Sequence, residues 1–374
     1  MRNSPLAYIE LSAANLVHNF QALKNVAKKG VKMAAVVKAN AYGHGQNEVA
    51  KILDAHTDYF AVNSISELES LRKTSKKKTF VLGYTQESDL KKAFRLGAVV
   101  SVFSTEHLLH IQKNADKTVE VNIAIDALLG REGLMERDLP LFFDELKKCK
   151  KIKVLGIYAH FANIEDTTNF THAKKQILKF NKVLEIVKKA GLKNIQTHIS
   201  ATSGLLVYEK NKGVHSVVRM GVGLYGMWPS EHIHFLYQKK MELKSILSWK
   251  TKIAQIKTIP AGRTIGYGLS HMTYKATNIA VIPQGYSDGY DRKLSNKGEV
   301  LIAGRRCPIL GRVAMNMFVV DVSHLPGVQA EDEVVLLGKQ GGEEITAEEL
   351  ADKVGTINYE ITTRLSPLLP RKVI

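Results

Sequence analysis

The sequence is short of cysteine. Cys149 and Cys307 are the only two in 374 residues, so one disulfide is the most the chain could form, and a scaffold stapled by several is excluded. Long apolar runs are also missing: no stretch approaches the roughly 20 residues that a membrane helix needs. The opening "MRNSPLAYIELSAANL" has no apolar segment leading to a cleavage site, so export is not expected and the cytoplasm is the default location. Acid is in deficit, with 36 Asp and Glu against 53 Lys and Arg, a formal net charge of +17. The lysines are spread along amphipathic stretches such as "ILKFNKVLEIVKK", and the densest run, "KTSKKKTF", lacks interleaved aromatic residues. That pattern is a solvated basic surface rather than a nucleic-acid site. No spacing suits a metal, no Ser–His–Asp order suggests hydrolysis, and there is no internal repeat.

What is present is alternation. Short apolar runs at 33–38, 59–63, 79–83, 98–102, 119–125, 153–159, 195–199 and 217–224 are separated by amphipathic helical stretches. Ser64 stands three residues before Glu67, the spacing of a capping box, and Ser104 is a second helix cap. Strands without strict alternation, joined by helices, indicate a parallel sheet covered on both faces. Eight such units predict a (β/α)8 barrel, with a doubly wound sheet as the alternative. Beyond about residue 240 the texture changes to short β-type runs such as "TNIAVIPQGY" and "DEVVLLG", broken by Gly, Pro, Asn and Asp turns, with one late helix near 346–353. The expected organisation is a barrel over 1–235 and a mostly antiparallel β domain over 236–374.

A barrel carries its chemistry where strands end, at the C-terminal face. Those ends supply Lys38, Asn63, Gly83, Asp126 with Arg131 just beyond, His160, Thr202–Ser203 and Arg219. Lys38 follows the apolar run "MAAVV", and Arg219 sits inside "VVRMG", where a charge needs a partner. Taken alone, Lys38 reads as a snorkelling lysine, His160 as a core histidine, Ser203 as a helix cap, and Tyr267 in "GYG" as an aromatic turn residue. An amine with its pKa lowered from about 10.4 by burial or nearby cations is also the kind that forms Schiff bases.

"VVKANAYGHG" resembles the pyridoxal phosphate (PLP) lysine signature of the alanine racemase family. "GIYAHFAN", "HISATSG", "VVRMGVGLYGMWP", "AGRTIGYGLSH", "PQGYSDGYDR", "GRVAMNMF" and "NYEITTRLSPLLPR" are similar to further stretches of that family, in order. The resemblance implies a PLP-dependent racemase with a barrel and a C-terminal β domain, interconverting L- and D-alanine for peptidoglycan. Lys38 would carry the cofactor and act as base on one face of the substrate carbon, with Tyr267 the base on the other. Tyr42, Ser203 and Tyr359, with the backbone at Gly221 and Val222, would hold the phosphate. Arg219 would face the pyridine nitrogen, and His160 would link Arg219 to Tyr267. Arg131, helped by the backbone at Met315, would bind the substrate carboxylate. A head-to-tail homodimer with shared sites is implied, with Tyr267 and Met315 reaching the neighbouring subunit. Tyr286 and Arg292 resemble residues near the substrate entrance; His44 and Tyr290 receive no role.

The chain departs from the family pattern at three places. Ala124 stands where a lysine, often carbamylated, usually orients the carboxylate-binding arginine. Ala127, Leu128 and Leu129 replace Thr-Gly-Met, and Asn316 replaces an aspartate. A racemase of broader or different specificity (serine, lysine), a non-catalytic PLP-homeostasis protein and a PLP decarboxylase are the alternative functions.

Overall fold

A computed structural model describes residues 5–209 and 215–374. The chain forms two compact units, one of residues 16–41 and 46–244, the other of the N-terminal segment through Asn15, Tyr42–Gly45 and Ser245–Ile374. Strand β1 (Tyr8–Leu11) belongs to the second unit.

The first unit is built on eight parallel strands: β2 (Lys32–Val36), β3 (Tyr59–Val62), β4 (Thr79–Val81), β5 (Ala98–Val102), β6 (Val119–Ala124), β7 (Ile152–Tyr158), β8 (Gln196–His198) and β9 (Val217–Met220). Each of the expected runs is one of these strands. Their order, β8-β7-β6-β5-β4-β3-β2-β9, leaves only the β8–β9 seam outside the ladder. There the backbone is joined by Ser216 N–H to Thr197 O at 3.0 Å and Arg219 N–H to Ser200 O at 3.1 Å. The sheet is therefore a near-closed barrel, and the doubly wound alternative does not apply. The Ser64–Glu67 capping box and the Ser104 cap both form.

The barrel interior is packed with aromatic rings rather than aliphatics alone. Tyr59 stacks on Phe80 (4.7 Å), Phe80 on His198 (5.7 Å) and His198 on Tyr158 (5.2 Å). The Arg219 guanidinium lies 5.2 Å over the Tyr158 ring. Such a column is stiff, because each ring has few rotamers and is fixed on both faces.

The second unit holds β10 (Leu247–Lys252), β11 (Gln255–Ile259), β12 (Thr264–Ile265), β13 (His271–Met272), β14 (Thr277–Ile282), β15 (Glu299–Ile302), β16 (Arg305–Pro308), β17 (Phe318–Asp321), β18 (Glu333–Gln340), β19 (Glu343–Ile345) and β20 (Arg371–Val373). The larger sheet runs β16-β15-β18-β10-β1-β20, and β11-β14-β17 make a second, antiparallel one. The late helix appears as Ala347–Val354 and is followed by Asn358–Thr363. Tyr290, buried between Trp249 and Phe318, is a core residue here. The division after residue 235 expected from sequence differs from the structure, where the units part after Lys244. The N-terminal segment also changes unit, because β1 pairs antiparallel with β10 (Ile9 opposite Trp249) and parallel with β20 (Glu10 opposite Lys372).

One buried acid makes barrel stability depend on pH. Glu209 is buried and accepts a hydrogen bond from the Ser200 hydroxyl at 2.9 Å; burial pushes its carboxyl up to about 7, against the lowering effect of that bond. The folded chain thus holds this proton more tightly than the unfolded chain does. The associated stability is full below about pH 4.5 and is lost as pH rises through about 7. Neighbouring His215, held down to about 4 chiefly by burial, acts with the opposite sign in acid. Thermal melts of wild type and Glu209→Gln across pH 5–8 isolate the first effect: wild type should lose stability relative to the variant as pH rises. Parallel curves would contradict it.

Candidate active site

Strand β2 leads into a short turn that begins at Lys38. Ala39, Asn40, Ala41 and Tyr42 all have φ between 52° and 54°, a left-handed turn made without a single glycine. Each such residue costs about 1–2 kcal/mol, so the surroundings must impose the conformation. They do. Ala39 N–H donates to Glu67 Oε1 (2.7 Å), Gln46 N–H to Asn40 Oδ1 (2.9 Å), and Gln46 Nε2 to Val37 O (3.2 Å). Glu67 is the capping-box residue, and its other oxygen accepts from Asn63 N–H at 2.6 Å. A helix cap recognised in the sequence therefore also pins the backbone beside Lys38. The Lys38 ammonium is held below the ordinary lysine range, first by burial and then by Arg131; Glu67 opposes the shift.

Arg219 is buried and, among the described residues, no carboxylate bonds to it. Its Nη1 donates to His198 Nδ1 (2.6 Å) and His198 O (3.3 Å); its Nη2 donates to Ala159 O (2.8 Å), His160 Nδ1 (3.1 Å) and Ile199 O (3.3 Å). None of these bonds uses Nε. Because a guanidinium only donates, both Nδ1 atoms must be acceptors, and each imidazole carries its proton on Nε2. Burial, then the charges of Arg219, Arg131 and Lys38, hold His160 down to about 3, so it is neutral. Burial lowers Arg219 itself to about 10, which still leaves it charged at neutral pH. His198, absent from the residues singled out by sequence, is thus as close to Arg219 as His160. Its position at the end of β8 was the signal.

Ser203 lies in a helical turn, Thr202–Gly204, and Val222 opens another, Val222–Tyr225. The first amides of such turns have no acceptor within the turn and suit an anion. Thr202 Oγ1 ties the two together, accepting from Gly221 N–H and Gly223 N–H at 3.3 Å each. Tyr225, whose hydroxyl donates to Val36 O at 2.6 Å, anchors the second turn to β2.

Arg131 stands on a loop whose ends meet: Asp126 N–H donates to Leu134 O (3.0 Å) and Leu134 N–H to Ala124 O (2.9 Å). Asp126 Oδ1 accepts from Leu129 N–H (2.8 Å) and Gly130 N–H (3.0 Å). Gly133 has φ 121°, and a Cβ there would lie 2.6 Å from Asp126 N, so only glycine closes the loop. Gln176 links the loop to the β7 end, donating to Ala127 O (2.8 Å) and His160 O (3.1 Å). The Arg131 guanidinium is paired with Glu132, which sequence reasoning had missed.

The structure thus brings Lys38, Arg131, His160, Ser203, Arg219, Gly221 and Val222 to one end of the barrel unit. Tyr42, Tyr267, Met315 and Tyr359 lie in the C-terminal unit. Tyr42 and Tyr359 meet edge to face at 6.2 Å, and burial pushes the Tyr42 phenol up to about 12, so it is a neutral donor. Tyr267 is 73% exposed in a turn between Gly266 (φ 72°) and Gly268 (φ 68°), and Met315 is 55% exposed. Met315 O accepts from Ser287 N–H (3.0 Å) and Ser287 Oγ (2.8 Å), while Asn316 Nδ2 donates to Ser287 Oγ (2.8 Å). An aspartate at 316 could only accept, so asparagine suits this relay. His44 Nδ1 contacts Tyr42 O at 3.0 Å, a structural role.

These features fit the cofactor that the resemblance implies. A buried guanidinium with Nε uncommitted suits a neutral ring nitrogen, and turn amides with a serine hydroxyl suit a phosphate. The half-buried lysine, lowered by burial and then by Arg131, suits an aldehyde.

Two outcomes check this geometry. Gly43 has φ 85°, and a Cβ there would lie 1.8 Å from Thr362 O, so Gly43→Ala should destabilise the protein by more than about 3 kcal/mol in urea unfolding. Glu67→Gln removes the charge that holds the Lys38 ammonium up. In 13C-dimethyl-lysine NMR titrations the Lys38 midpoint should lie below the ordinary range in wild type and fall further in the variant; a rise would contradict the assignment.

Residues 11–229 match the family described as alanine racemase, N-terminal domain, and 246–373 match alanine racemase, C-terminal domain. The chain is similar to the alanine racemase of Carboxydothermus hydrogenoformans, 38% identical over 369 residues, which is 97% of this chain and 98% of the relative. The alanine racemase of Leptospira interrogans is 33% identical, over 100% of this chain and 97% of the relative. Among solved structures, alanine racemase from Bacillus anthracis with bound L-Ala-P superposes with a TM-score of 0.93 at 32% identity, covering 100% of this chain and 96% of that one. With both halves matched and relatives similar over nearly its whole length, this chain belongs to the alanine racemase family.

Proposed function

We propose that the protein is a PLP-dependent isomerase that interconverts L- and D-alanine, supplying D-alanine for peptidoglycan in the cytoplasm. Family membership over nearly the whole chain supports the activity. The observation that carries the chemistry is buried Arg219, held by neutral acceptors with Nε left over. The cofactor, when bound, supplies the electron sink that acidifies the substrate Cα–H.

The chain's residues do the rest. Lys38 would hold the cofactor covalently and serve as base on one face of Cα, a task its lowered pKa favours. Tyr267 serves the opposite face, since inversion needs a proton removed from one side and returned on the other. Arg219, charged at neutral pH, would offer its Nε–H to the ring nitrogen and would supply no acid to protonate it. His160, with its proton on Nε2, extends this chain of donors from Arg219 toward Tyr267. The Ser203, Tyr42 and Tyr359 hydroxyls, with backbone N–H groups around Gly221 and Val222, would hold the phosphate. Arg131 and the Met315 backbone take the substrate carboxylate. The exposure of Tyr267 and Met315 supports a head-to-tail homodimer in which both serve the neighbouring subunit.

A PLP-homeostasis barrel has no counterpart to the C-terminal sheets or to Tyr267, and the arginine at the ring nitrogen disfavours a decarboxylase. Tyr267→Phe should lower kcat by at least about a hundredfold while PLP affinity stays unchanged; full turnover in the variant would remove Tyr267 from its role. On a panel of L-amino acids followed by chiral chromatography, alanine should give the highest kcat/KM. A better substrate, such as serine or lysine, would reassign the specificity.

A further inference from the structure

The carboxylate end of the site lacks the anchor usual for such an arginine. Ala124 is buried and offers a methyl group, and Asp126 Oδ1 is occupied by the Leu129 and Gly130 amides. The group that does reach Arg131 is its neighbour. Glu132 grips the guanidinium side-on, Oε2 against Nε and Oε1 against Nη2 at 2.7 Å. Neighbours in sequence rarely make such a fork. Here the loop permits it, because left-handed backbone at Leu128 (φ 67°), Gly130 (φ 74°) and Gly133 (φ 121°) folds 126–134 back on itself. His172 braces the loop through Leu128 O at 3.1 Å and Gln176 through Ala127 O.

A guanidinium has two faces on which a carboxylate can bind with two hydrogen bonds: the side, Nε with one Nη, and the end, Nη1 with Nη2. With the side taken by Glu132, the end is the edge left for another carboxylate. We propose that Glu132 is the positioning residue for Arg131, fixing the guanidinium so that its end presents to the carboxylate of the amino-acid substrate. This rests on the reading of Arg131 as the substrate's partner. Glu132 also bears on Lys38, whose charge it favours, so the pair balances the cations of the site. The side chains are 61% and 38% exposed, and pairs so open add little to stability. The role is orientation, and it shows in binding rather than in folding.

The test compares Glu132→Gln, Glu132→Asp and Arg131→Lys holoenzymes with wild type. Three quantities are read: kcat and KM for L-alanine, the dissociation constant of propionate by calorimetry, and the melting temperature. Glu132→Gln should raise both KM and the propionate constant about tenfold, with kcat changed less and melting unchanged; Glu132→Asp should recover part of the loss. Unchanged KM and propionate binding in Glu132→Gln would overturn the proposal. So would tighter binding, the result if Glu132 merely competed with substrate for the arginine. If Arg131→Lys also leaves both constants unchanged, the reading of Arg131 has failed with it. If Arg131→Lys weakens both and Glu132→Gln neither, only the role of Glu132 is lost.

Discussion

A guanidinium buried without a carboxylate sets the terms for this site. Moving an isolated charge out of water is costly, and in most proteins a buried arginine is met by an acid. Arg219 is met by two imidazoles, three carbonyls and the face of Tyr158. Those acceptors fix the tautomers of His160 and His198, and Tyr158 is itself stacked on His198. Burial lowers Lys38 and His160 first, and the unneutralised charge of Arg219 adds to the lowering of both. An anionic ligand with a neutral acceptor nitrogen is what such a place would stabilise most.

The second constraint is conformational. Lys38 reaches the site because four residues after it accept left-handed backbone, and that strain is held by Glu67, Asn40 and Gln46. Nothing in "KANAY" announces it: no glycine marks the turn, and alanine and tyrosine disfavour that conformation. The strain is imposed by partners elsewhere in the chain, so it is invisible to local reading.

Much else was legible. All eight barrel strands follow from apolar runs bounded by helices, because fully buried parallel strands need no alternation. The strand-end rule then selected Lys38, His160, Ser203 and Arg219 together, without any contact being known. The domain limits were less readable, since β1 joins strands drawn from the far end of the chain. Pairings so distant leave no trace in local composition. Glu132 was missed for a different reason: adjacent side chains normally diverge, and only the positive-φ loop at 128–133 turns it onto Arg131. The departures at Ala124 and Asn316 were seen in the sequence, but their meaning came from geometry, through Glu132 in one case and the Ser287 relay in the other.

The central claim is that this electropositive barrel end binds PLP through Lys38. Adding PLP to the purified protein, reducing with borohydride and mapping the modified peptide tests it directly. A visible absorption band that reduction abolishes is expected, with the adduct on Lys38 alone. A protein that stays colourless, or carries the adduct on another lysine, would contradict it.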